Sequence, residues 1–283
     1  MNKIISFGSY PRSEIKNPGI MGPLARLQSK SLKKPFSDHT DITVNDYEFE
    51  GVRYRAVSYE DNIIRCFRYE PLTWRVIGES EDRLVLLSNE IIDVCLFNKG
   101  IVHKSVPAEG DFYTVNRPKR KANLYYGSWF DKWLNNDLVL KAFDDNERER
   151  IFPQPIPQEH EILCSGVYKA GKPKLRPLSA KEFNALQPES FPLTDYAAAF
   201  DGIRARVKNE EAGKSAGIEL LYNYITPCSA GSFWLMDGRD DYMVMAYDGI
   251  LVETVSGADT AVHSTAKANE LRGVVLCIEI KKQ

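Results

Sequence analysis

The sequence contains no long hydrophobic run and no start that resembles a leader. No stretch approaches the ~20 apolar residues that a helix needs to cross a bilayer. Near the start, only Ile4 and Ile5 precede a serine and a glycine, whereas the apolar core of a secretory signal has roughly 7–15 residues. We therefore expect a protein without a membrane segment, located in the cytoplasm or in a phage particle assembled there.

An excess of one charge sign is also missing from the chain as a whole. The 283 residues include 37 lysines and arginines and 39 acidic residues, a formal net charge of −2. A dedicated nucleic-acid binder gains much of its affinity by neutralising phosphates, so this balance argues against that class. The first 40 residues differ, since seven basic and two acidic residues give them a net charge of +5. The candidate partner-binding residues of this basic arm are Arg12, Lys16, Arg26, Lys30, Lys33 and Lys34.

Closely spaced cysteine motifs are absent as well. The five cysteines lie far apart and form no Cys-x-x-Cys pair. Structural zinc sites need such closely spaced ligands. We expect a reduced protein with buried free thiols, and we expect neither a metal nor another cofactor.

The order of short apolar segments predicts an α+β fold. Up to about residue 97 the segments read as strands, and their connections are too short for parallel crossovers, which predicts mostly antiparallel sheets. A hairpin is expected around Gly51, Ser128 precedes the clearest helix, and Ser179 with Glu182 forms a capping box. Strand patterns return after residue 231. We expect two to four helices, with long loops between the elements.

The domain organisation rests on two unusual segments. Segment 152–158 is rich in proline and is the only credible linker, but it also suits a rigid connection inside one domain. We therefore assign residues 1–283 to a single domain. Residues 12–40 are basic and rich in proline, glycine and serine, which is typical of an arm or a long loop with a short helix near Leu24–Gln28.

Aromatic and polar side chains supply the candidates for ligand binding. Two tryptophans lie four residues apart on the predicted helix, and another lies on a later strand. Indole rings offer stacking surfaces, although tryptophans at helical spacing are also typical of a core. The acid-rich segment 237–241 fits either a cation site with oxygen ligands or a solvated turn. The candidates are Trp129, Trp133, Asn135, Trp234, Asp237, Arg239 and Asp241.

Short motifs follow one another from the first predicted strand to the last. They are Phe7-Gly8-Ser9-Tyr10-Pro11, Trp74-Arg75-Val76-Ile77, Leu86-Leu87-Ser88, Ser128 with Trp133-Leu134-Asn135 and Ala142-Phe143, Leu178-Ser179 with Glu182, Thr194-Asp195-Tyr196-Ala197, Trp234-Leu235, and Asp248-Gly249. In this order they resemble an uncharacterised bacterial family, domain of unknown function 6273. The family pattern runs F-G-x-Y-P, W-x-V-L, L-L-x-S, S-x-x-R-x-W-L-N before A-F, L-S-x-x-E, T-x-Y-A, W-L-R-S, a D-G turn and G-V-R-P.

Three positions depart from that pattern, and each lacks an arginine. Asp131 stands at the arginine of S-x-x-R-x-W-L-N, and Met236 stands at the arginine of W-L-R-S. The closing G-V-R-P segment reads Arg272-Gly273-Val274-Val275. An anion or carboxylate that these arginines contact in other members need not be a ligand of this chain.

The last motifs also resemble C-type-lectin-like and formylglycine-generating domains. Those folds are irregular two-sheet modules whose N- and C-terminal strands pair, so the resemblance implies a C-type-lectin-like core with paired terminal strands. It concerns the fold more than the activity, because one fold can carry many functions.

Three functions remain open. The leading hypothesis is a non-enzymatic binding or assembly module whose partner is another protein, a second copy of the chain, or a small ligand or glycan. The alternative is an enzyme of the formylglycine-generating type or a hydrolase, although Cys228 and Cys277 are far apart. The third is nucleic-acid association through the basic arm. A cleft joining a histidine to an acid and a serine or cysteine would favour the enzyme, and salt-sensitive binding lost on deleting residues 12–36 would favour nucleic acid.

Overall fold

Two β-sheets and several short helices form the described part of the chain. The computed structural model describes residues 3–31, 43–59, 63–97, 125–164, 166–168, 171–186, 191–199, 233–238, 251–256, 262–267 and 271–282. The strands are β1 (Ile4–Glu14), β2 (Thr43–Phe49), β3 (Val52–Tyr59), β4 (Ile63–Glu79), β5 (Arg83–Ser88), β6 (Val94–Leu96), β7 (Phe233–Gly238), β8 (Leu251–Ser256), β9 (Val262–Lys267), β10 (Leu271–Gly273) and β11 (Cys277–Lys281). The helices are α1 (Pro18–Ser31), α2 (Trp129–Trp133), α3 (Val139–Ala142), α4 (Asp145–Arg150), α5 (Glu161–Cys164) and α6 (Ala180–Leu186). The predicted α+β fold class is confirmed.

The larger sheet is antiparallel and includes both terminal strands. Its order is β11-β5-β4-β3-β2, and β1 pairs with β4. The predicted pairing of the terminal strands is confirmed at the level of this sheet, which β1 joins through β4 and β11 joins through β5. β4 is the central strand, because Phe67 lies opposite both Arg55 of β3 and Glu14 of β1.

The second sheet has the order β6-β10-β7-β8-β9. Its pairs are antiparallel except that Gly273 of β10 lies parallel to Phe233 of β7. The chain leaves β10 through Val274, which exchanges backbone hydrogen bonds with Ile92 and Asp93, and then enters β11 of the first sheet. The two sheets are thereby joined by three residues of chain. The predicted turn at Asp248-Gly249 lies outside the described residues.

The predicted hairpins are present in the larger sheet. β2 and β3 are joined at Glu50 and Gly51, whose φ angles of 53° and 73° are both positive. Two positive φ angles are what a tight turn between twisted antiparallel strands requires, and glycine adopts them without strain. β4 and β5 form the second hairpin, closed by a hydrogen bond from the Ser80 N–H to the Arg83 carbonyl (2.9 Å).

The predicted central helix is present but is interrupted by a π-helical turn. Ser128 caps it as predicted, since its Oγ accepts a hydrogen bond from the Asp131 N–H (3.0 Å). Between α2 and α3, Leu134–Leu138 is π-helical, and the Val139 N–H bonds to the Leu134 carbonyl five residues earlier. The described helices exceed the predicted two to four, because α4 and α5 are further short helices. No helix within the described ranges is long and apolar enough to cross a membrane.

The motif residues of β1, β4 and α3 meet in the core. The Trp74 indole N–H donates to the Phe7 carbonyl (2.7 Å), and the Phe7 and Phe143 rings lie 5.4 Å apart. Gly8 has a φ of 76°, and a Cβ atom built there would lie 2.5 Å from the Phe143 ring and 2.8 Å from the Ala142 carbonyl oxygen. Gly8 therefore lets β1 approach the end of the central helix more closely than any other residue could.

A buried arginine connects five segments of the chain. The Arg55 guanidinium, on β3, forms a bidentate ion pair with Asp46 of β2 (2.7 and 3.0 Å). It also donates to the hydroxyls of Tyr10 (3.1 Å), Tyr69 (2.6 Å) and Tyr196 (3.3 Å). The five donors of an arginine are all used in this arrangement. We call these five residues the Arg55 network.

The first part of the predicted basic arm packs on the larger sheet. Residues 12–14 belong to β1, and α1 extends well beyond the short helix expected near Leu24–Gln28. Leu24 is fully buried against Tyr54, Ala56 and Cys66. An apolar contact at mid-helix explains why a helix with weak sequence periodicity forms here.

Four cysteines are buried free thiols, as predicted. They are Cys66, Cys95, Cys164 and Cys277. Burial raises the pKa of the Cys66 thiol to about 11 and that of Cys277 to about 12, so neither is reactive near neutral pH. The remaining cysteine, Cys228, lies outside the described residues.

Replacing Gly8 by alanine tests the close approach of β1 to the central helix. We expect Gly51→Ala to cost about 1 kcal/mol, because its φ is also positive but no atom lies within 4 Å of an added Cβ. Gly8→Ala adds the clash with Phe143 and should cost about 2 kcal/mol more. Chemical denaturation of both variants measures the difference. Equal losses for the two variants would contradict the described packing.

Candidate functional site

A groove in the described residues lies beside β11. It has a volume of about 470 Å³ and involves α6, β7, β11 and the proline-rich segment. We call it the Arg176 groove and define it by Tyr126, Gln154, Arg176, Glu182, Met236 and Glu279. Its size falls in the range of sites for small ligands.

An ion pair between Arg176 and Glu182 forms one wall of the groove. The guanidinium donates to both carboxylate oxygens (2.7 and 2.6 Å). Glu182 also accepts from the Ser179 N–H (2.9 Å), and the Ser179 hydroxyl accepts from the Glu182 N–H (3.2 Å). The predicted capping box is thus present. Burial disfavours the Glu182 carboxylate, but these hydrogen bonds outweigh it and lower its pKa.

Gln154 lies behind this ion pair and is almost fully buried. Its exposed fraction is 5%, its Oε1 accepts from the Arg176 Nε–H (3.1 Å) and its backbone N–H donates to Pro173 (2.7 Å). The side-chain Nε2 is also buried and has no hydrogen-bond partner among the described residues. A buried amide donor without an acceptor costs about 1–3 kcal/mol. Gln154 is therefore the least satisfied polar group of the groove.

The backbone edge of β11 is closed where the groove meets it. Cys277 exchanges backbone hydrogen bonds with Arg176 (2.7 and 3.3 Å), and the Phe152 N–H donates to the Glu279 carbonyl (2.8 Å). An extended peptide recognises a sheet edge through free backbone groups. Here the backbone groups of Cys277 and Glu279 are already hydrogen-bonded within the protein. A ligand of the groove must therefore be recognised by side chains.

Asn135, a predicted ligand residue, positions the segment that carries Arg176. It is buried, and its Oδ1 accepts from the N–H groups of Lys174 (2.7 Å) and Leu175 (2.8 Å). Its Nδ2 donates to the Leu175 carbonyl (3.0 Å). With its amide used in this way, Asn135 supports the groove from the central helix and does not line it.

The predicted tryptophans belong to the core and its margin. Trp234 is fully buried, and its indole N–H donates to the Cys95 carbonyl (2.9 Å). Trp129 and Trp133 stack with ring centres 6.1 Å apart and an angle of 11°, and both pack half-buried against the main core. Two residues after Trp234, Met236 lines the Arg176 groove.

The other predicted ligand residues are only partly described. Asp237 lies in β7, whereas Arg239 and Asp241 lie outside the described residues. Across the described ranges, no group of three or more histidine, cysteine, aspartate or glutamate side chains is placed to hold a metal ion.

The predicted partner-binding residues are spread along β1 and α1. Arg12 forms an ion pair with Glu90 (2.6 Å) and lies 3.8 Å from Glu70, so part of the arm's charge is neutralised within the sheet. Lys16 lies between β1 and α1. The α1 residues among the candidates are Arg26, which is exposed, and Lys30, and the structure does not describe Lys33 and Lys34.

A family model described as domain of unknown function (DUF6273) matches residues 81–274 of the 283. The chain belongs to this family. No curated protein and no solved structure matches it. The looser likeness to C-type-lectin-like domains therefore remains a prediction. The family signal covers the Arg176 groove, since the lining residues other than Glu279 lie within the matched range.

Within this DUF6273 chain, two of the departures from the family pattern have a visible consequence. Met236, on β7, lines the groove that also contains the Arg176–Glu182 pair, so the arginine of this groove comes from the segment before α6 and not from the β7 position of the pattern. Asp131 is fully buried, and its Oδ2 accepts from the Gly127 N–H (2.5 Å) and the Tyr168 hydroxyl (2.5 Å). Its Oδ1 accepts from Asn135 (2.9 Å). These partners are uncharged.

Sequence reasoning missed Gln154 and Arg176 and found Glu182 only as a helix cap. Gln154 lies in the segment 152–158 that was interpreted as a connection. Arg176 precedes the capping box, and its bond to Gln154 spans 22 positions. No local pattern encodes that contact, and the capping box was the one usable signal at this site.

Asp131 should make the stability of this DUF6273 chain depend on pH. Burial raises its pKa to about 6, against the hydrogen bonds that lower it. The folded state therefore binds the Asp131 proton more tightly than the unfolded state does. This binding stabilises the fold fully below pH ~4, and the stabilisation is lost as pH rises through ~6. We expect wild type to lose about 2 kcal/mol relative to Asp131→Asn between pH 4.5 and 7.5.

The measurement is chemical denaturation of both proteins across that range. Asp145→Asn is the matched control, because the Asp145 side chain is 89% exposed and the substitution changes net charge equally. Parallel pH profiles for wild type and Asp131→Asn would show that this carboxyl does not titrate as described.

Proposed function

We propose that the chain is a non-enzymatic binding module whose ligand site is the Arg176 groove. The observation that carries the proposal is Gln154, a buried residue of the groove whose amide Nε2 has no hydrogen-bond partner among the described residues. Proteins keep few such groups, and each has a cost that a ligand bearing an acceptor removes. Binding then includes a rotamer change of a groove side chain, as is common on complex formation, since the Nε2 atom is covered.

The ligand is neutral and rich in hydroxyl groups, as a saccharide is. The groove contains two basic residues, Arg176 and Lys181, and two acidic residues, Glu182 and Glu279, so it favours neither charge sign. A hydroxyl both donates to a carboxylate and accepts from an amide or guanidinium, so it suits this mixed set. The Tyr126 ring offers an apolar surface to the C–H face of a sugar ring.

The closed edge of β11 argues against the main alternative, an extended peptide. A peptide that joins a sheet gains much of its affinity from backbone hydrogen bonds. The Cys277 and Glu279 backbone groups described above are already bonded to Arg176 and Phe152. A ligand recognised by side chains alone fits this site better.

Gln154→Met separates a ligand contact from a purely structural role. The variant removes the unpaired donor together with the bond to Arg176, so we expect its stability to stay within about 1 kcal/mol of wild type. Saccharide binding should weaken about tenfold or more. The probe is an immobilised saccharide array, followed by calorimetric titration of the strongest hit.

Gln158→Met is the matched control, since Gln158 is exposed and lies four residues away. The proposal is supported if saccharide binding falls in Gln154→Met and not in Gln158→Met. It is overturned if no saccharide binds with a Kd of about 1 mM or tighter, or if Gln154→Met binds as wild type does. Preferential capture of peptides in a parallel array would also overturn it.

A further inference from the structure

A second pocket is lined by the Gly8 contact with Phe143 and shares no lining residue with the Arg176 groove. It has a volume of about 420 Å³ and lies among β1, β3, α3 and α4. We call it the Lys141 pocket and define it by Ser9, Arg53, Leu140, Lys141, Glu147 and Arg148. The lining includes both acidic and basic side chains. The charges that are not already paired within the protein therefore determine which ligand the pocket can bind.

The acidic residues of the pocket are already bound by donors. Glu147 accepts from the Gly8 N–H (2.8 Å) and from the Asp144 N–H (3.0 Å). Asp144 accepts from the Glu147 N–H (2.8 Å), and Asp145 pairs with Arg148. Asp144 and Glu147 therefore cap α4 and tie it to β1, while Asp145 makes an exposed pair within the helix.

The basic residues Arg53 and Lys141 have weaker charge partners, although the Arg53 guanidinium also lies over the Tyr69 ring at 4.0 Å. Arg53 donates to the Lys141 carbonyl (3.1 Å), and its nearest carboxylate is Asp46 at 3.5 Å, which already forms the bidentate pair with Arg55. The Lys141 ammonium makes no hydrogen bond or ion pair with the described residues. Lys141 is exposed as a residue, and desolvation of its ammonium by the protein atoms around it, followed by the charge of Arg55, lowers its pKa. The three basic and three acidic side chains of the lining balance in number, and Arg53 and Lys141 have the weakest charge partners among them.

We propose that the Lys141 pocket binds a small organic monocarboxylate through the Lys141 ammonium, the Arg53 guanidinium and the Ser9 hydroxyl. The ligand's apolar part lies against Leu140, a residue that is 45% exposed despite its hydrophobic side chain. A single negative charge fits better than a multivalent one, because the carboxylates of Asp144, Asp145 and Glu147, which also line the pocket, repel a phosphate dianion more strongly. The carboxylate gains charge-assisted hydrogen bonds from two cations.

The proposal is tested by titrating the full chain, labelled with ¹⁵N, with acetate, butyrate and inorganic phosphate at pH 7. We expect saturable shifts of the Gly8 and Ser9 amide signals, with butyrate binding more tightly than acetate because it reaches Leu140. Phosphate should bind more weakly than either. Concentrations up to about 50 mM suffice, because a site with a Kd of ~1 mM is then saturated.

Lys141→Met should weaken butyrate binding about tenfold, and Lys141→Arg should restore most of it. Lys172→Met is the matched control, since Lys172 is an exposed lysine outside the pocket. The proposal is overturned if the shifts do not saturate, if Lys141→Met leaves them unchanged, or if phosphate binds as tightly as butyrate. Failure here leaves the saccharide proposal untouched, because the two sites share no residue.

Discussion

The Arg55 network is the interaction on which the rest of the fold depends. The Arg55 guanidinium forms an ion pair with Asp46 and donates hydrogen bonds to the hydroxyls of Tyr10, Tyr69 and Tyr196. These contacts fix four strands and a helical segment relative to one another. A buried arginine is tolerable only when its donors are satisfied, and here all five are. Replacing Arg55 would leave the half-buried Asp46 carboxylate and three tyrosine hydroxyls without their donor. Removing one partner of a buried ion pair in this way strongly destabilises the folded state.

The family motifs hold the scaffold, and the candidate site is built mainly from other residues. Tyr10 and Tyr196 come from two motifs and meet at Arg55, while Trp74 bonds to the backbone of Phe7. Asn135 supports the backbone next to Arg176. By contrast, Gln154 and Arg176 belong to no motif of the pattern. Membership of the family therefore does not by itself identify a ligand, because a fold does not fix the function of the site it carries.

Local features of the fold could be predicted from the sequence, and long-range ones could not. The Gly51 hairpin, the Ser128 cap and the Ser179 capping box depend on residues within a few positions of one another, and all were predicted. The π-helical turn after Trp133 was not, because its residues have no distinctive spacing. Likewise the bond from Arg55 to Tyr196 spans 141 positions, and nothing near either residue indicates the other. Of the tryptophans predicted to bind a ligand, Trp234 is buried in the core and Trp129 and Trp133 pack half-buried against it, since aromatic residues at helical spacing suit both roles.

The unfolding free energy of Arg55→Met, compared with Arg53→Met, tests the central claim most directly. The two arginines lie two positions apart on β3 and are replaced by the same side chain, but Arg55 is 2% exposed and Arg53 is 43% exposed. We predict a loss of about 3–5 kcal/mol for Arg55→Met and at most about 1 kcal/mol for Arg53→Met. Similar losses for the two variants would show that the Arg55 network does not hold the fold together.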